Sequence, residues 1–139
     1  GHMPKVSLSA VLPADPARVW QVVGNVNAFP MWHPGVQRSE LSDGGRRRTL
    51  TLVGGGVIVD ALQHHSDREH VSTYAIVDSP LPVKDCQSTI RLSDHGDGHV
   101  TMTWSSEFVA SGAPETMAVD AMQSVYHAGL ENLKRLFDA

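Results

Sequence analysis

The sequence predicts an α+β fold in which a curved antiparallel sheet grips one long helix, and three observations predict it. Runs that alternate apolar and polar side chains, the period of a half-buried strand, fill the chain from Arg48 to Phe108. Turn-forming residues interrupt them at short intervals, as in an antiparallel meander. From Pro114 the apolar period becomes helical and stays so to the end. A sheet with one apolar face must be covered, and that last helix is the long amphipathic element available to cover it. Where such a sheet and helix do not meet, a gap lined by mixed side chains becomes a ligand cavity.

Each element follows from its residues. Val6, Leu8, Ala10 and Leu12 alternate with Lys5, Ser7 and Ser9 in a first strand that ends at Pro13. "ADPARVWQVVGN" then opens a helix, with Asp15 as N-cap, Pro16 at the first helical position and Val19, Val22 and Val23 at helical spacing. Gly24-Asn25 closes it. The two prolines of "VNAFPMWHPGV" leave room for a short helical turn before the chain becomes extended at Pro34. Strand-like runs follow at Arg48 to Val53, Val57 to His64, Val71 to Val77, Cys86 to Leu92 and Val100 to Phe108. The last helix carries Ala118, Met122, Val125, Gly129, Leu133 and Leu136 along one stripe. Gly129 costs helix propensity there and so marks a close approach to another element or to a ligand.

Composition narrows the function. A chain of 139 residues, 41% hydrophobic, supports one sizeable core, so residues 4–139 are expected to form a single domain, with Gly1-His2-Met3 the remnant of an expression tag. Net charge is -4 and the basic residues are scattered apart from Arg46 to Arg48, which gives no footprint for nucleic acid. No apolar run approaches the roughly 20 residues that span a bilayer, so membrane insertion is not expected. The single cysteine, Cys86, fits a reducing cytoplasmic compartment. An exposed apolar strand or helix face would support a homodimer.

The stretch "RRRTLTLVGGGVIVD", residues 46–60, holds the chemistry. A phosphate-binding loop needs glycines that open a helix, commonly before Lys-Ser/Thr, whereas β-branched Val57-Ile58-Val59 follows here. Gly54 to Gly56 therefore reads as a hairpin turn. With those three residues as the turn, Leu50 faces Asp60, Arg48 faces Leu62, and Arg48 and Asp60 are diagonal neighbours on one face. Leu50, Leu52, Ile58 and Leu62 share that face, with Tyr74 and Ile76 joining it from the next strand. In the last hairpin Ser88, Ile90 and Leu92 pair with Ser106, Trp104 and Met102. The inner face is thus apolar with a few polar positions: Arg48, Asp60, Tyr74, Cys86, Ser88 and Ser106.

A buried carboxylate and guanidinium cost several kcal/mol each unless paired, so the pair needs a reason. Acid–base work is one. Asp60 would serve as general base or acid, Arg48 would stabilise an oxyanion or enolate, and Tyr74 would donate a further hydrogen bond. A structural ion pair is the alternative. Ligand contacts are expected from Leu50, Leu62, Cys86, Ser88, Ile90, Met102, Trp104 and Ser106 on the sheet, and from Met122 and Tyr126 on the helix. His64, His65 and His70 flank one turn and His95 and His99 another, but no third ligand lies at an accepted spacing, so no metal site is expected.

"PADPARVWQVVGNVNAFPMWHPGV", "RRRTLTL", "VDAL", "TYAIVDSPLPV", "STIRL", "TMTWSSEF" and "AGLENLKRLF" occur in an order and spacing similar to the polyketide cyclase/dehydrase branch of the START-like, helix-grip superfamily (SRPBCC). The resemblance spans almost the whole chain. It implies seven antiparallel strands, two short helices and a C-terminal helix enclosing a hydrophobic cavity. It also implies an arginine and an acidic residue at the positions of Arg48 and Asp60, the acid commonly a glutamate. "MWHPG" would border the cavity mouth, where Trp32 closes the entrance and His33 shuttles a proton or caps the turn before Pro34. The expected function is binding of a small hydrophobic molecule, carbonyl-bearing or aromatic and polyketide-like, with cyclisation, dehydration or isomerisation and no cofactor. A non-catalytic lipid or small-molecule carrier or sensor is the alternative.

Overall fold

The computed structural model describes residues 2–138. Strand β1 (Lys5–Leu12) leads into helix α1 (Pro16–Val23) and the one-turn helix α2 (Phe29–Trp32). Strands β2 (Val36–Ser42), β3 (Arg47–Leu52), β4 (Val57–Ser66), β5 (Val71–Asp78), β6 (Val83–Asp94) and β7 (Val100–Ala110) follow, and helix α3 (Glu115–Phe137) ends the chain. The strands form one curved antiparallel sheet in the order β1-β7-β6-β5-β4-β3-β2, so every neighbour except β1 is joined by a hairpin. Its inner face packs on α3, and no described helix is long and apolar enough to cross a membrane.

Local chemistry explains the helix boundaries. Asp15 has the extended backbone of an N-cap and Pro16 fills the first helical position, although the Asp15 side chain makes no capping bond. Gly24 is the C-cap of α1, and the position requires glycine because the ring of Trp20 lies over it, where a Cβ would sit 2.2 Å away. Strand β2 is the one strand that alternation alone does not reveal. It is an edge strand, mostly exposed after Val36. Strand β6 begins at Val83, earlier than the alternation starting at Cys86, because the pairing with β7 passes through an irregularity between Lys84 and Gln87.

Two expectations are corrected. In the β3–β4 hairpin Leu52 N–H donates to Gly56 O at 3.0 Å, so the three-residue loop is Val53 to Gly55 and Gly56 belongs to the closing pair. Leu50 therefore faces Ile58, and Arg48 lies directly opposite Asp60 rather than diagonally. Moving a three-residue loop by one position shifts every partner by two, so the faces survive. On α3 the buried stripe is Ala118, Met122, Tyr126, Gly129, Leu130, Leu133 and Phe137, while Val125 is half-buried and Leu136 is 47% exposed. The aromatic rings of Tyr126 and Phe137 bury more apolar area than Val125 and Leu136 would, and they set the rotation of the helix.

Candidate ligand cavity and its buried ion pair

A cavity of about 190 Å³ lies between the inner face of the sheet and α3. Its walls are Leu50 and Leu52 of β3, Ile58 and Asp60 of β4, Tyr74 and Ile76 of β5, Trp104 of β7, and Met122, Val125 and Tyr126 of α3. Phe29, His33, Gly35, Val36, Val53 and Leu81 complete it from α2, the start of β2 and the loops. Wider grooves of about 600 and 710 Å³ lie on the surface, but the smaller cavity is the more enclosed and the more apolar, and it is the one that reaches Asp60.

Asp60 and Arg48 meet beneath this cavity. Arg48 Nε and Nη2 both donate to Asp60 Oδ2, at 2.9 and 2.7 Å, and Nη1 donates to the carbonyl of Val26 at 2.9 Å. The guanidinium lies between the rings of Phe29 and Tyr74, 4.9 Å from each centroid. Arg48 is thus held on every side and is not part of the cavity wall. Asp60 Oδ1 is buried with no hydrogen-bond partner. Burial raises the Asp60 carboxyl above its ordinary range, and the Arg48 charge and hydrogen bonds oppose that rise.

Tyr74 Oη accepts a hydrogen bond from Trp104 Nε1 at 3.0 Å, which leaves its own hydrogen to donate. Burial pushes the Tyr74 phenol well above 10, so it stays protonated. Beside it Trp104 stacks on Tyr126 with ring centroids 4.2 Å apart, and Tyr126 Oη bonds Ser88 Oγ at 3.0 Å.

His33 is fixed by two backbone groups. Gly35 N–H donates to Nδ1 at 3.0 Å, so Nε2 carries the hydrogen that is donated to Val125 O at 2.7 Å. Burial holds this imidazole below its ordinary 6.5. With both nitrogens engaged by the backbone, His33 ties the α2 turn to α3, the capping arrangement rather than the proton shuttle.

Of the expected ligand contacts, His33, Leu50, Trp104, Met122 and Tyr126 line the cavity together with Asp60 and Tyr74. Trp32 lies deeper instead of closing the entrance: it is 1% exposed, stacked on Phe29 and packed against Trp104. Leu62 lines the surface groove beside Trp20, beyond which the pairing with β5 shifts before His64. Ile90 and Met102 are core residues, and Ser88 and Ser106 lie buried outside the wall, Ser88 bonded to the Tyr126 hydroxyl. Cys86 is buried outside the cavity against Ser88, its thiol pushed up to about 11 by burial. Among the described residues no group of three or more His, Cys, Asp or Glu is placed to hold a metal ion.

Phe29, Val36 and Leu81 also line the cavity, although the sequence does not mark them. They sit on a one-turn helix, at the start of an edge strand and in a Pro-Leu-Pro loop, where no periodicity marks an inward direction. The proline-flanked apolar residue of "SPLPV" was the one available signal.

A sheet wrapped on a C-terminal helix with an apolar cavity between them defines a helix-grip protein. The chain belongs to the family described as polyketide cyclase / dehydrase and lipid transport, whose model matches residues 3–138. Among solved structures it is similar to XoxI from Bacillus cereus, with 30% identity and a TM-score of 0.94 over 97% of this chain and 96% of that one. An uncharacterised protein from Bacillus thuringiensis is 28% identical, with a TM-score of 0.94 over 98% and 100% of the two chains. The Zhui aromatase/cyclase from Streptomyces sp. R1128 shares the fold at 15% identity, with a TM-score of 0.81 over 99% and 94%. No curated protein matches the sequence.

Proposed function

We propose that this protein takes a small, largely apolar molecule bearing a carbonyl or an aromatic ring into the cavity and acts on it by acid–base chemistry, in a cyclisation, dehydration or isomerisation. One observation carries the reading: Asp60 has a buried carboxylate oxygen without a partner at the wall of an apolar cavity. Fold stability does not account for it, since apolar replacement of a buried ion pair is often neutral or stabilising by about 1–4 kcal/mol. Arg48 holds Oδ2 and so leaves Oδ1 for the ligand. A proton next to a ligand carbonyl would pass to Oδ1 while Tyr74 O–H donates to the carbonyl oxygen, and the same proton would leave with a β-hydroxyl as water. The family description, which names cyclases and dehydrases, is in keeping with this.

Arg48 enters as a positioning residue, because its guanidinium is occupied by Asp60, Val26 and two rings. That occupation also favours a second reading, a carrier or sensor in which Asp60 and Tyr74 hold the ligand's polar end. Solvent deuterium exchange at the α-carbons of cyclohexanone, followed by NMR, separates the two. The catalytic reading expects exchange with the wild type that falls at least tenfold in Asp60→Asn. Equal exchange in both proteins would leave the carrier.

A further inference from the structure

We propose that the cavity selects a neutral one-ring molecule carrying a hydroxyl, a phenol or cyclic enol, whose single oxygen donates to Asp60 Oδ1 and accepts from Tyr74 O–H. This rests on the ligand-binding reading above and names the ligand class within it. Size comes first. A buried cavity of about 150 Å³ accommodates benzene, so about 190 Å³ matches one ring with a few further atoms.

Polarity comes second. Asp60 belongs to the wall, and its buried Oδ1 is an acceptor without a partner. Tyr74, also of the wall, keeps a hydroxyl hydrogen to donate, since its oxygen accepts from Trp104 Nε1. A hydroxyl satisfies both at one atom. A ketone would accept from Tyr74 and offer Oδ1 only the C–H whose proton the reaction above removes, so it binds as substrate but less tightly than the hydroxyl form; a hydrocarbon would leave both unpaired, and a carboxylate would meet the Asp60 charge. Leaving a buried polar group unpaired is what lets a site reject an isostere lacking the matching hydroxyl. The remaining wall, with the rings of Phe29, Trp104 and Tyr126, suits a flat apolar body.

The test is a titration of the wild-type protein with phenol, toluene, benzoate and 2-naphthol, followed through the indole N–H resonances by NMR. Phenol is expected to bind at least tenfold more tightly than toluene or benzoate, and 2-naphthol no more tightly than phenol. In Arg48→Met/Asp60→Leu, which removes both charges together and leaves Tyr74 as the remaining partner, the preference for phenol over toluene should fall severalfold. If that variant does not fold, the wild-type comparison decides alone. Equal binding of phenol and toluene to the wild type would overturn the ligand class and leave the cavity as a binding site. Failure of all four probes to bind would overturn the class and the ligand-binding reading together.

Discussion

Asp60 and Arg48 are 0% and 3% exposed at their side chains, so each is tolerable only because of the other. Replacing Arg48 with Met leaves a carboxylate buried without its cation. Urea unfolding of that variant should show a loss of about 3–5 kcal/mol. The double variant Arg48→Met/Asp60→Leu should recover most of the loss, and a double-mutant cycle in which the two costs simply add would show that the pair is not coupled. His33 gives a prediction with a definite sign. Its folded value lies below 6.5, so between the two values the unfolded chain binds more protons than the folded one. The stability from neutral His33 is therefore fully present above about pH 6.5 and lost as the pH falls from there through the folded value. Urea midpoints of the wild type should drop on acidification more steeply than those of His33→Gln. Parallel curves would rule out His33 as the source.

At the scale of the elements, the β3–β4 hairpin and α3 set the cavity. Gly54, Gly55 and Gly56 have φ of 88, 108 and 93°, a region that glycine tolerates and β-branched residues do not. Gly55→Val should cost about 1–3 kcal/mol in thermal or urea unfolding although its side chain would meet open space, which isolates the backbone effect. Gly129 works by contact instead. A Cβ there would lie 2.9 Å from His33, Trp104 and Trp32, so Gly129→Ala forces apart two rings of the cavity wall and the core ring of Trp32. A loss of about 1–3 kcal/mol is expected, with displaced Trp32 and Trp104 indole resonances. Unmoved resonances would contradict the contact. The close approach at Gly129 was legible in the sequence as an unfavoured residue in a helix. The partners it approaches were not, because Trp32 and Trp104 lie far from it along the chain. The hairpin was legible in its faces but not in its register, since alternation has a period of two and is blind to a shift of two.

The molecule as a whole encloses its cavity between elements from both ends of the chain. A ligand that binds the folded state alone stabilises it by about 2.7 kcal/mol at a hundredfold excess over its Kd. For a domain of this size, that corresponds to a rise of about 10 °C in Tm. Phenol at that excess should produce such a rise in the wild type and much less in Leu81→Trp, where a larger ring occupies the cavity. An equal rise in both would place the binding elsewhere, with the groove beside Trp20 the first alternative.

The sequence by itself determined the type of every helix and of every strand but β2, the single covered sheet, the last hairpin's pairing of Ser88, Ile90 and Leu92 with Ser106, Trp104 and Met102, and the shared face of Arg48 and Asp60. These follow from local periodicity, which a chain displays without being folded. Tertiary structure alone decided that Val26 O and the rings of Phe29 and Tyr74 surround Arg48, that Trp32 belongs to the core, and that one oxygen of Asp60 is left without a partner. Each depends on side chains from separate segments arriving at one point, and no period along the chain encodes that meeting.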